Sequence, residues 1–176
     1  MTVKKHGFRS KKGQGIVEFA LAFPVFLLIV LGIFEFGRLM FTYATVFTAS
    51  REAARFGATV NNAIDCVGME AAATNVAIFS DVSNILIFYD DGQTNLTTVS
   101  EAANPVIALT GIGLDACGDR TADEVQLGDR IIVLVSTPYM PIIGPIVGIQ
   151  TNFTIHNLVS RTLVKEVKWE APTPTP

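Results

Sequence analysis

From Phe19 to Phe34 the chain runs for sixteen residues without a charge, and a single carboxylate, Glu18, stands at the head of that run. Five basic residues precede it, Lys4, Lys5, Arg9, Lys11 and Lys12, followed by Gly13. A basic flank ahead of a long apolar stretch is the pattern of a membrane span or of a cleaved export signal. Ile16 to Phe36 is 21 residues. As a helix that is about 30 Å, one bilayer core.

The same pattern predicts one long helix from Gln14 to about Gly57. Leu, Ile, Phe and Ala dominate, Asn and Asp are missing, and isolated glycines such as Gly32 and Gly37 are its weak points. Pro24 lacks the N–H that would bond the Ala20 carbonyl, which predicts a kink there; lipid tolerates one where that carbonyl finds compensation. Glu35 and Arg38, three apart, are placed to pair on one face near the outer interface, with Arg38 snorkelling. Beyond them, Phe41 to Ala58 mixes small and hydroxyl residues with Arg51, Glu52 and Arg55. Phe47, Ser50, Ala54 and Gly57 suggest one narrow face, and Arg51 and Arg55 another, as in a helix leaving the membrane to pack on a soluble domain or on neighbouring helices. Asn61-Asn62 is a plausible break.

The remainder alternates shorter signals. Met69 to Phe79 is alanine-rich and predicts a second helix. Ile85 to Tyr89 predicts a strand ended by a turn at Asp90-Asp91-Gly92, and Ser100 to Asn104 a short helix stopped by Pro105. Arg130 to Thr137 predicts a strand broken by Pro138, Pro141 and Pro145. The apolar loop that follows, YMPIIGPIVG, reads as packed rather than as an exposed contact patch. Thr151 to Val167 alternates roughly and predicts a final strand, bulged near Asn157. These strands suggest an antiparallel sheet, with the distal part of the long helix as the cover for one face. The ending APTPTP reads as a polyproline-like tail.

Charge sharpens the topology. All sixteen acidic residues follow Gly13, while five of the thirteen basic ones precede it. The acidic body offers no surface for nucleic acid, and the basic tip fits a signal that holds the N-terminus in the cytoplasm while the body crosses. Cys66 and Cys117 both fall in the exported part. Two cysteines permit one pairing, which an oxidising compartment favours over two buried free thiols. Catalytic chemistry is not evident. His6 and His156 suggest no metal site, and GIGLDACG lacks the context of a nucleotide loop. Asp90, Asp91, Asp119, Asp123, Glu124 and Asp129 read as solvated loop acids that match no calcium loop. No cofactor is implied.

Glu18 asks for an explanation, because a charge at membrane entry is costly. One reading leaves it solvated at the headgroup boundary. The other cuts the chain after Gly13, creating an α-amine on Gln14 four residues before Glu18, in its own or an adjacent subunit. An acid there also suits the exposed N–H groups of the first helical turn.

Lys11 to Ala58 resembles the TadE/TadG-like family of tight-adherence pilus assembly proteins. The resemblance rests on Gly13, Val17 to Leu21 (VEFAL), Pro24, Gly32 to Arg38 (GIFEFGR) and Arg51 to Ala58 (REAARFGA). It is specific over this stretch and extends to the rest only in outline. It implies an α+β, pilin-like fold, a long N-terminal transmembrane helix bearing a small extracytoplasmic head with an antiparallel sheet. The expected organisation is a basic leader at 1–13, a long helix at 14–58 spanning the membrane at about 16–36, a head at 59–170 and a Pro/Thr tail at 171–176. A prepilin peptidase would cut between Gly13 and Gln14, with Glu18 as the acid at position five of the mature chain. The implied function is a non-enzymatic pseudopilin or minor pilin-like subunit of the cytoplasmic membrane. Its implied partners are other pilin subunits, the tight-adherence platform proteins and lipid. The alternative is a membrane-anchored extracytoplasmic binding module outside any filament.

Overall fold

The computed structural model describes residues 13–59, 63–78, 80–100, 105, 108–109, 114–119, 124–126, 128–145, 148 and 152–164. The expected leader before Gly13, the break at Asn61-Asn62 and the Pro/Thr tail lie outside them. Helix α1 spans Gln14–Gly57, 44 residues. It is followed by α2 (Cys66–Asn75), β1 (Asn84–Asp90), α3 (Leu96–Ser100), β2 (Asp115–Ala116), β3 (Arg130–Tyr139) and β4 (Phe153–Thr162). The strands form one antiparallel sheet in the order β2-β1-β3-β4. The fold is therefore α+β, a long apolar N-terminal helix followed by a four-stranded antiparallel sheet.

Strand β3 explains why the sheet has two covered faces. Ile131 to Val135 are all buried, and a continuous apolar strand needs apolar partners on both sides. Ile131, Val133 and Val135 face the distal half of α1, packing with Val46, Ala49, Ala53 and Ala54 and with Met69 and Ala73 of α2. Ile132 and Leu134 point the other way, toward Phe88, Val99 and Leu109. Each fully buried Val, Leu or Ile contributes about 1.5–3 kcal/mol.

The buried face of α1 is Thr42, Thr45, Val46, Ala49, Ser50, Ala53, Ala54 and Gly57, a stripe at helical spacing made mostly of small residues. This corrects the expected face at one position. Phe47 is 38% exposed; it stacks beside Tyr43 and lies under the Arg51 guanidinium. Small side chains let α1 lie close on the sheet. A Cβ on Gly57 would come within 3.0 Å of Ile131 Cδ1 and closer still to Met69 Sδ. We expect Gly57→Val to destabilise the head by about 1–3 kcal/mol through overpacking, read as a lower urea midpoint.

Other boundaries shift for local reasons. Helix α2 begins at Cys66 because Asp65 caps it, its Oδ1 accepting from the Gly68 N–H at 2.8 Å. A short helix lies at Leu96–Ser100; the one expected at Ser100 to Asn104 falls, but for its first residue, outside the described residues. Strand β3 continues through Pro138 to Tyr139. Strand β1 pairs with β3 only as far as Ser136, so at Pro138 one side of β3 is an open edge, where a missing N–H is tolerated. The β3–β4 register runs one for one from Arg130↔Thr162 to Tyr139↔Phe153, with no bulge. Asn157, the break in the alternation, instead points its amide at α1 and donates to Ser50 Oγ at 2.5 Å. The loop after β3 is also corrected: Met140 is 62% and Ile142 57% exposed.

Candidate functional site

The site residues read from the sequence fall in three places along the molecule. At the start of α1, Gly13 is the N-cap and supplies no side-chain cap. The Gln14 side chain donates to Glu18 Oε1 at 3.1 Å. The sequence thus puts an acceptor one turn inside a helix end whose own N–H groups lack intrahelical partners. Pro24 lies within α1, and the helix continues on either side of it.

Above this start, the most apolar window of α1 is long enough to cross a membrane, and none of it is buried in the protein. Phe19, Leu21, Phe26, Ile29, Ile33 and Phe34 all face outward. In water such a surface is untenable, and lipid is the medium that suits it. Among the described residues α1 is the one helix long and apolar enough to span a membrane, and the basic flank before it places the sheet domain on the extracytoplasmic side.

The second place is the junction between stem and head. Arg38 and Glu35 pair at 2.7 Å on one helix face. Arg38 does not simply reach for solvent: it donates to the Met140 carbonyl, and its guanidinium lies 4.2 Å from the Tyr139 ring centroid. The Tyr139 hydroxyl donates to Glu35 Oε1 at 2.5 Å and to the Glu35 carbonyl at 3.1 Å. The Ile142 N–H donates to Glu35 Oε2 at 3.3 Å. Burial, and then the hydrogen bond to Glu35, push the Tyr139 phenol up to about 12, so it stays a donor at any physiological pH. Glu35 is therefore the acceptor at the centre of a clamp that fastens the end of β3 to the helix. Sequence reasoning found the ion pair but missed Tyr139, Met140 and Ile142. The signal for them is slight: an aromatic hydroxyl at the mouth of an uncharged, proline-bearing loop.

The third place is the disulfide. Cys66 and Cys117 are bonded, with Cα atoms 5.8 Å apart across a separation of 51 residues. The bond ties the first turn of α2 to the end of the short strand β2. Tyr89 lies against it, its hydroxyl 3.2 Å from Cys117 Sγ and donating to the Ala63 carbonyl at 2.5 Å.

One of the expected solvated acids is something else. Asp90 is 4% exposed and ends β1, directly across from Arg130. Arg130 Nε donates to its Oδ1 at 2.9 Å, and a second guanidinium nitrogen donates to Oδ2 at 2.5 Å and to the Thr94 carbonyl at 2.8 Å. Burial alone would raise the Asp90 carboxyl; hydrogen bonds from Arg130 and Thr94 and the Arg130 charge outweigh it and hold the group below its ordinary range. Among the described residues, no group of three or more His, Cys, Asp or Glu converges to hold a metal.

Residues 13–55 match the family described as TadE-like protein. Comparison with curated proteins and with solved structures returns no match.

Proposed function

From the match of residues 13–55 to the TadE-like family, we propose that the chain is a non-enzymatic, pilin-like subunit assisting assembly of a tight-adherence type IV pilus or secretion system. The observation that carries the reading is Gly13 and Glu18 at cleavage spacing, immediately ahead of an apolar helix whose surface is unburied. In this reading a prepilin peptidase cuts between Gly13 and Gln14, and the basic leader stays in the cytoplasm. Glu18 is then one turn from the new α-amine and compensates it in its own or an adjacent subunit. The freed stem associates laterally with other pilin or pseudopilin stems and with the membrane platform. The head, fastened at Glu35 and Arg38 where the stem leaves the bilayer, sets the contacts outside.

Mass analysis of the membrane-extracted protein is expected to find Gln14 at the N-terminus, and an intact leader in a strain lacking its prepilin peptidase. An intact leader in both strains would remove the processing step. Glu18→Lys is expected to abolish assembly of surface pili while leaving the protein in the membrane. Full piliation by that variant would favour a tethered binding module instead.

A further inference from the structure

We infer that the start of the β3–β4 loop, Met140 to Ile142, is a second membrane contact, an apolar tip seated in the outer leaflet beside α1, with phospholipid at the headgroup–acyl boundary as its partner. The inference rests on α1 spanning the membrane, and three observations carry it from there.

The first is composition. Between Arg130 and Arg161 there is no Asp, Glu, Lys or Arg, and the loop Met140–Asn152 falls wholly inside this interval. Charge is what normally keeps a solvent-facing loop in water. Here Met140 and Ile142 present their side chains with no polar residue between them other than backbone, and Pro141 stiffens the tip. Exposed apolar groups clustered in this way mark a contact rather than a solvated surface.

The second is height. The clamp fixes where the loop sits along α1, because the Ile142 N–H meets Glu35 Oε2 and the Met140 carbonyl meets Arg38. Glu35 is the first charge after the uncharged run that ends at Phe34. Helical side chains lean toward the helix N-terminus, so the Glu35 carboxylate reaches toward the membrane side of its own Cα and holds the loop backbone at that level. The polar interface occupies roughly 5–7 Å beyond each face of the hydrocarbon core. A backbone held at the end of the span lies within it.

The third is continuity. Phe34, Phe36, Met40 and Phe41 are exposed on α1 around the same level. Phe153, 43% exposed, begins β4 at the same end of the sheet, its ring centroid 5.1 Å from that of Tyr139. The loop thus extends the lipid-facing surface of the stem instead of forming a separate patch. Aromatic and aliphatic side chains beside an Arg are the composition that interfacial anchoring uses.

The test uses the full chain in vesicles of phosphatidylethanolamine and phosphatidylglycerol, with the native disulfide intact. Single added cysteines carry an environment-sensitive fluorophore at Ile142→Cys, at Ile29→Cys in mid-stem and at Val164→Cys beyond the far end of β4. All three positions are exposed, so labelling leaves the core alone. Lipids with a nitroxide high on the acyl chain are expected to quench the Ile142→Cys label, whose emission shifts to the blue. Deep nitroxides should quench Ile29→Cys, and neither should reach Val164→Cys. Quenching at Ile29→Cys with a water-like, unquenched Ile142→Cys overturns the loop contact and leaves the spanning stem in place. Loss of quenching at Ile29→Cys overturns both. A blue shift at Ile142→Cys that lipid nitroxides do not quench, and that vanishes as protein is diluted in lipid, assigns the loop to a second copy of the chain and overturns the lipid partner.

Discussion

Replacing both half-cystines, Cys66→Ala with Cys117→Ala, is expected to lower the stability of the head by about 4 kcal/mol, the chain-entropy value for a closed loop of this length. The separation is 51 residues, and the closed segment carries α2, β1, α3 and β2. Among the described residues, strand β2 pairs with β1 through Phe88↔Ala116 and Tyr89↔Asp115. Two pairs do little to hold a strand against the entropy of the loops on either side of it. The disulfide supplies what the pairing lacks, and it also keeps α2 over the Tyr89 end of the sheet. Pulse proteolysis of the full chain in nanodiscs, across a urea series, reads the effect. Wild-type protein treated with reductant should move toward the double variant, while the variant should not respond to reductant. A wild-type midpoint that is unchanged on full reduction would show that the bond contributes nothing.

Asp90→Ala is expected to cost about 3 kcal/mol, the low end of the range for breaking a buried ion pair. It leaves Arg130 without its bidentate partner and removes the carboxylate oxygen that accepts from the Thr94 N–H at 3.2 Å. The low end applies because the Arg130 side chain is 21% exposed, so water recovers part of the loss. The pair also sets an acid limb. The Asp90 carboxyl is held below its ordinary value of 3.8 in the folded state, so the unfolded chain takes up a proton first as pH falls. Its stabilisation is complete above that ordinary value and disappears as pH drops through the folded one. Asp90→Asn should therefore flatten the loss of stability at acid pH while lowering stability at neutral pH. A variant as stable as wild type at pH 7 would refute the role of the pair.

Sequence legibility follows the range of the physics involved. The stem was legible because an uncharged run of sixteen residues has few fates, and β3 because Ile131 to Val135 cannot be solvated on either face. The packing face of α1 was harder. Ala49, Ser50, Ala53 and Ala54 pack by being small, and smallness carries little hydropathy, so Phe47 drew the reading toward the wrong side. Pro138 signalled a break since a proline cannot donate to a ladder, yet its open edge is set by where β1 stops, far away in the chain. The Glu35 clamp and the Asp90–Arg130 pair were hidden for the same reason. Tyr139 lies 104 residues from Glu35, and Arg130 lies 40 from Asp90. Local composition makes Asp90 look like any turn acid, and only the strand register puts a guanidinium opposite it. The expected processing at Gly13 depends on recognition by another protein and leaves its trace in spacing alone.

The unbroken run of α1 from lipid into the head makes the helix a lever arm. The helix continues through Gly37 from the span into the packed segment Thr42–Gly57, and the clamp at Glu35 stiffens the point where one becomes the other. From Phe36 to Gly57 the arm is about 31 Å long at 1.5 Å per residue. A stem tilt of about 20°, ordinary for a spanning helix, therefore sweeps the far end of the head sideways by roughly 11 Å. Any neighbour that straightens the stem inside the bilayer moves the head by that distance outside it, with no signal passing through the head's own core.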